Sequence, residues 1–483
     1  MATGSISSAG IGSGLDVSTM IDRLMSLEQR PLTLLQTQAT AMNSKLSTVG
    51  RLQSQFSTLR DKANALTSTT LWNATTVTSA DPSAIKVSTG STATAGSYAV
   101  NVSKLAVGQT VSSRQPAGGP LQLSEGSLTI ELGSWQAGAP SAGFDPKSGG
   151  TPVTIAIGPD DTSLTAIRNK INAAGAGVAA SIVTDASGAR LSLRSTTTGA
   201  EHAFRISAAE TSNDGIADNG LSALAFDASA ASTAMQRTMS AGNAELTVNG
   251  IALTSASNTL TDVVDGLSLS LQKATGSDIE VSVASDTASV KTAITDLVSA
   301  FNTLASFIRS QTAYNADSKQ GGVLQGDQGT MALQNQLRAV LHVSSSASSG
   351  FSRLSDIGIA IKADGTLDTH ANKLDNALGN LPELKKLLAT DGSDSANSGF
   401  ARRFKRLADA ALGSDGVFET RTSSMKAGVT RNSKSQDAMQ QRLDQTRARL
   451  QAQYTALDAK MATLTGLSSY MTQQITQFNR SRG

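Results

Sequence analysis

LDQTRARLQAQYTALDAKMATLTGLSSYMTQQITQF, residues 443–478, carries an apolar side chain at every seventh place: Leu443, Leu450, Leu457, Leu464, Met471 and Phe478. Four residues after the first five of these stand Arg447, Tyr454, Met461, Ser468 and Ile475. Six successive filled heptad positions predict a coiled-coil-like C-terminal helix over residues 441–483. Most of a helix's stability in a protein comes from packing its apolar face, and Arg447 and Ser468 in the seam lose hydration if buried without partners. The segment therefore needs a partner: the other terminus, a sister copy, or a different protein with a groove.

The other end repeats the device. Asp16 or Ser18 can cap a helix in which Ile21, Leu24, Met25 and Leu27 follow at helical spacing until Pro31 interrupts it. A second helix then carries Leu35, Met42, Val49, Phe56 and Ala63 on one seam, with Gln38, Lys45, Leu52, Leu59 and Leu66 beside it. We expect a docking or oligomerisation surface built from Met42, Val49, Leu52, Phe56 and Leu59 with Leu443, Leu450, Leu457, Leu464 and Met471.

Between residues 75 and 283 the apolar period changes to two, as in Ile85-Lys-Val87, Tyr98-Ala-Val-Asn-Val102, Leu128-Thr-Ile-Glu-Leu132, Leu191-Ser-Leu193 and Ile279-Glu-Val-Ser-Val283. Such alternation between Gly, Pro, Asn and Asp turns predicts half-buried strands packed in sandwich-like fashion. Helical spacing returns with Val290, Ile294, Leu297, Val298, Phe301, Leu304 and Ile308. After a helix reaching Leu341, a hairpin is expected at Ile357, Ile359 and Ile361 around Asp364-Gly365. Helices are expected around residues 374–388 and 400–412.

The fold class is thus α+β multidomain: terminal coiled-coil-like helices and a helical leg domain carrying two inserted β-rich head domains. The expected division is a flexible leader and terminal helix at 1–45, and a helical leg at 46–75 plus 286–440. An inner β-rich domain takes 76–112 plus 238–285, an outer one 113–237, and the C-terminal helix 441–483.

Composition narrows the function. The chain has 483 residues, 39% of them apolar, 4% aromatic and none cysteine. Thiolate metal sites, disulfides and cysteine nucleophiles are thereby removed. The first residues lack a basic and apolar leader, so no cleaved secretory signal is expected, and no apolar run is long enough for a membrane span. From Ala401 onward 14 Lys and Arg face 6 Asp and Glu, leaving 26 against 32 before it. The densest basic cluster, Arg402, Arg403, Lys405 and Arg406, has only Phe404 interleaved and reads as a helix face, not a nucleic-acid patch.

No catalytic constellation emerges. His202, His342 and His370 stand in separate segments without ligand spacing. Gly10-Ile-Gly-Ser-Gly14 has no strand before it and no lysine at phosphate-loop spacing. Asn213-Asp-Gly-Ile-Ala-Asp218 lacks the closing bidentate glutamate of a calcium loop. Neither enzyme activity nor a metal or cofactor is expected.

Taken in order, several motifs resemble one family. Ile6-Ser-Ser-Ala-Gly-Ile-Gly-Ser-Gly-Leu-Asp16, Gly96-Ser-Tyr-Ala-Val-Asn-Val-Ser-Lys-Leu-Ala106, Leu354-Ser-Asp-Ile-Gly-Ile359 and Asp364-Gly-Thr-Leu367 are similar to landmarks of the flagellar filament cap proteins, the hook-associated protein 2 or FliD family. Ser163-Leu-Thr-Ala-Ile-Arg-Asn-Lys-Ile-Asn-Ala-Ala-Gly175 resembles the IN motif of hook-associated proteins and flagellins. The resemblance implies export through the flagellar channel, a homo-oligomeric ring at the distal filament tip, and contacts with flagellin, hook-associated proteins and an export chaperone. It also implies a role in flagellin insertion and, in some bacteria, adhesion to host glycans. The alternatives are a secreted adhesin or another axial component at the hook–filament junction.

Overall fold

A computed structural model describes residues 16–480 apart from 91, 115–120, 139–140, 187, 213–214, 218, 231–232 and 318. The leader expected before Asp16 and most oxygen ligands of the 213–218 turn lie outside the described residues. The helices are α1 (Val17–Glu28), α2 (Arg30–Leu66), α3 (Thr69–Trp72), α4 (Leu164–Ala173), α5 (Thr287–Thr312), α6 (Gln328–His342), α7 (Ala371–Leu378), α8 (Leu381–Ala389), α9 (Phe400–Leu412) and α10 (Val417–Arg480). The chain divides into two compact units, one formed by the segments before and after the other, which is Asn73–Asp286.

In the helical unit, α1 starts because the Asp16 carboxylate accepts the Thr19 N–H at 3.0 Å, satisfying a free first-turn donor. Pro31 sits in the first turn of α2, where its missing N–H costs nothing. The inner face of α2, from Val49 through Leu66, meets α5 and α9 in a single core with Ile294, Phe301, Leu304, Phe400 and Phe404. Phe301 and Phe404 meet edge-on at 5.7 Å. Gly358 (φ 85°) ends the turn before the hairpin, and a Cβ there would meet the His370 carbonyl at 2.8 Å.

That hairpin pairs Ile359–Ile361 with Leu367–Thr369 across the Asp364-Gly365 turn. The helix expected over 374–388 is instead two, because Gly379 and Asn380 interrupt it and the Asn380 side chain caps α8. The C-terminal helix begins at Val417, well before 441, and runs 64 residues without a break.

The strands of the second unit are β1 (Thr75–Ser79), β2 (Ile85–Thr89), β3 (Gly96–Lys104), β4 (Thr110–Ser113), β5 (Gly126–Trp135), β6 (Phe144–Pro146), β7 (Val153–Ile157), β8 (Val178–Asp185), β9 (Gly188–Ser195), β10 (Ala203–Glu210), β11 (Met235–Met239), β12 (Ala244–Val248), β13 (Ile251–Ser255), β14 (Thr259–Val264), β15 (Leu267–Leu271) and β16 (Ile279–Ser285). Two cores form among them. One lies between the antiparallel sheets β1-β16-β3-β12-β13 and β14-β15-β2 and is filled by Val100, Val102, Leu246, Leu269 and Val281. The other joins β11-β4-β9-β8 to the sheet of β10, β5, β6 and β7, around Leu128, Leu193, Phe204 and Phe226.

The second core also takes Ile167 and Ile171 from α4, a helix inside the stretch read from its period as strands. Ser163 caps it through the Ala166 N–H at 3.1 Å, and its turn-spaced isoleucines bury one face.

Candidate docking surface

Three pairings set the register of α10 against the N-terminal helices. Phe418 meets Phe56 edge-on at 5.2 Å, the Met42 sulfur lies beside Gly428, and Arg447 bonds Asp22 at 2.8 Å. As one number falls the other rises, so α10 runs antiparallel to α2 and then to α1. Leu443 is buried among Val17, Ile21 and Met25, with Leu450 and Tyr454 at the margin of that cluster.

The expected docking residues therefore separate into three groups. Val49, Leu52, Phe56 and Leu59 have no exposed surface and belong to the core of the helical unit. Their heptad is filled by α5, α9 and the start of α10, which corrects the expectation that they form a surface for another molecule. Met42 and Leu450 are half-buried and Leu443 buried, all within contacts the chain makes with itself. Leu457, Leu464 and Met471 are exposed, Leu464 by 59%.

Beyond Tyr454 the helix continues for about 25 residues, or roughly 37 Å at 1.5 Å per residue. Met461, Leu467, Tyr470 and Ile475 are exposed there as well. Leu467 and Tyr470 lie outside the heptad seam and were missed by its period. A second sequence signal marks them: between Lys460 and Arg480 no side chain is charged.

The polar groups of this stretch largely look after themselves. The hydroxyls of Thr463, Thr465, Thr472 and Thr476 donate to the carbonyls four residues back at 2.7–2.9 Å. The Gln474 amide donates to the Tyr470 hydroxyl at 3.1 Å. The result is a neutral helical surface with several exposed apolar side chains, a candidate binding face.

The remaining candidates have local explanations. The Arg403 guanidinium donates to the Ser398 and Ser344 carbonyls at 3.0 and 3.1 Å and lies 4.6 Å from the Phe400 ring centre. Arg406 pairs with Asp391, and Lys405 with Asp409 at 2.6 Å. His202 bonds Lys147 at 2.7 Å, His342 closes α6 and His370 precedes α7. Among the described residues no three His, Asp or Glu side chains are grouped to hold a metal ion, and no helix is long and apolar enough to cross a membrane.

An α+β multidomain chain whose terminal helices pack on one another over part of their length and, among the described residues, leave a neutral stretch of helix with exposed apolar side chains has the build of a structural assembly protein. Comparison with known proteins narrows the class. Family profiles described as the flagellar hook-associated protein 2 N-terminus and C-terminus match residues 13–109 and 241–466, and the flagellin hook IN motif matches 147–197, which contains α4, β8 and β9. Flagellar hook-associated protein 2 of Escherichia coli K12 is 33% identical over 99% of this chain and its own full length. The B-type protein of Pseudomonas aeruginosa is 30% identical over 98% of this chain and 96% of its own. The crystal structure of the D1-D2-D3 domains of the flagellar cap protein FliD from Escherichia coli superposes with a TM-score of 0.55 at 31% identity, covering 78% of this chain and 99% of that one. This chain belongs to the flagellar hook-associated protein 2 family.

Proposed function

We propose that the chain caps the distal tip of the bacterial flagellar filament as a ring of several copies and promotes the insertion and polymerisation of exported flagellin. Membership of a family that includes the flagellar cap protein FliD of Escherichia coli supports the role. The observation that carries the mechanism is the uncovered, uncharged last third of α10. A neutral helix docks through area alone, which makes its hold exchangeable: it can leave one groove at the filament end and enter the next as each subunit folds. The same surface is what an export chaperone would cover before secretion, since an exposed apolar helix is a liability in the cell.

Deleting the gene should leave motile-medium cultures shedding monomeric flagellin from hooks without filaments, and restoring it should return full-length filaments. Normal filaments with loss of surface attachment alone would instead favour an adhesin that binds host glycans. Labelling near the hook, with none at the distal end, would favour a junction protein.

A further inference from the structure

Most sheet edges of the Asn73–Asp286 unit are obstructed. On β8 the Asn172 side chain imitates a neighbouring strand, accepting from the Ala180 N–H at 2.7 Å and donating to its carbonyl at 2.9 Å. Lys170 occupies the Ala156 carbonyl on β7 at 2.9 Å. A bridge from Phe226 covers β10 at Ile206, β6 is three residues ending in proline, and β11 and β14 are broken by register shifts. Edges β1 and β2 lie against one another. Such devices keep unpaired backbone groups from recruiting other chains.

Within Ile251-Ala-Leu-Thr-Ser255, edge strand β13 has no charge, no proline and an unbroken five-pair register with β12; only past its end, at Ala256, does a side chain, the Thr198 hydroxyl, occupy a carbonyl at 2.8 Å. The two-residue turn before it, Asn249-Gly250 with φ of 50° and 79°, is the mirror-image type that suits a tight hairpin. It closes on a hydrogen-bonded pair, Val248 with Ile251, so residues 251, 253 and 255 turn their backbone groups toward β12. The N–H and carbonyl groups of Ala252 and Thr254 face outward, and among the described residues none pairs with them. Ile251 stands on the core-facing side, opposite the buried Val248, yet is 67% exposed. The core thus extends past its last strand by one apolar side chain.

We infer that β13 takes an additional antiparallel strand from an extended, uncharged polypeptide segment that places an apolar side chain over Ile251. Five residues and four outward backbone groups bury far less than the roughly 1,200 Å² of a stable protein pair, so the occupant is a transiently held extended segment and not a second folded copy. Recognition through main-chain groups is indifferent to sequence apart from the pocketed side chain. If the chain is a filament cap, the segment comes from an exported subunit that has not yet folded; only that choice of source rests on the cap assignment.

The test uses the purified full-length chain and a fluorescent, end-blocked octapeptide of alternating threonine and valine. The wild type should bind it, and Thr254→Pro, which removes an outward N–H without touching the β12 ladder, should weaken binding at least tenfold with an unchanged melting temperature. Ala252→Lys serves if the proline variant misfolds, and an octapeptide N-methylated at alternate amides should not bind. No binding to the wild type, or equal binding by both variants, overturns the inference. Dimerisation of the wild type that Thr254→Pro abolishes and the peptide does not compete would also overturn it, in favour of a second copy. Filament growth by Thr254→Pro cells is scored separately, so loss of the edge and loss of capping are distinguishable.

Discussion

Phe56 packs its ring against the edge of Phe418 with no exposed surface, so Phe56→Ala should destabilise the helical unit by about 3–5 kcal/mol, as a buried aromatic truncation does. Denaturant unfolding of the purified chain measures it; a loss under 1 kcal/mol would mean that the α2 seam is not core. Asp16 supplies a second residue-scale test. The Thr19 hydroxyl and N–H, with Ser18, hold its carboxyl down at about 2, below the ordinary value near 3.9 of an unfolded chain. The folded state therefore prefers the charged form: the cap's contribution is whole above pH 4 and is lost as pH falls toward 2. Exchange of the α1 amides should accelerate over that window, and Asp16→Asn, which keeps an acceptor without a titrating proton, should flatten the dependence.

At the scale of the element, α10 is one helix with two environments. Its first half is braced by α2 and α1 through Phe418, Leu443 and the Arg447–Asp22 pair, whereas Leu457, Leu464, Leu467 and Met471 beyond it are exposed, and most of a helix's stability in a protein comes from packing an apolar face. Hydrogen exchange on the free chain should show protection falling sharply after Tyr454; uniform protection to Arg480 would contradict this. Because no charge lies between Lys460 and Arg480, docking by this stretch should persist from 0.1 to 1 M NaCl, where charge-paired contacts are screened away. Retention of the chain on sheared filaments across that range is the measurement.

The same element shows what the sequence could and could not convey. Its seven-residue period identified the helix, and the Asp364-Gly365 turn and the Phe400–Leu412 helix were equally legible. The period could not say what fills a seam: Val49, Leu52, Phe56 and Leu59 repeat as regularly as Leu457, Leu464 and Met471, yet the former are enclosed by α5 and α9 and the latter are bare. Enclosure depends on helices more than 200 residues away, which no local pattern encodes. The α4 helix was hidden for a related reason, since ten residues with two buried isoleucines give a weak 3.6-residue signal among strands.

For the molecule as a whole, the Asn73–Asp286 unit begins and ends in paired strands, with Thr75 opposite Ser285, and contains its own two cores. Excised, it should fold and melt cooperatively in circular dichroism, since the described side chains that fill both cores belong to the unit itself. In the other unit, we propose that the exposed end of α10 is what holds the chain to a growing filament. It is tested most directly in cells whose sole copy carries Leu464→Asp with Met471→Asp, two exposed sites whose replacement should leave the melting temperature of the purified chain within a degree or two. We predict hooks without filaments and flagellin shed as monomer into the medium. Filaments of normal length from that strain, with the variant at their tips, would contradict the account.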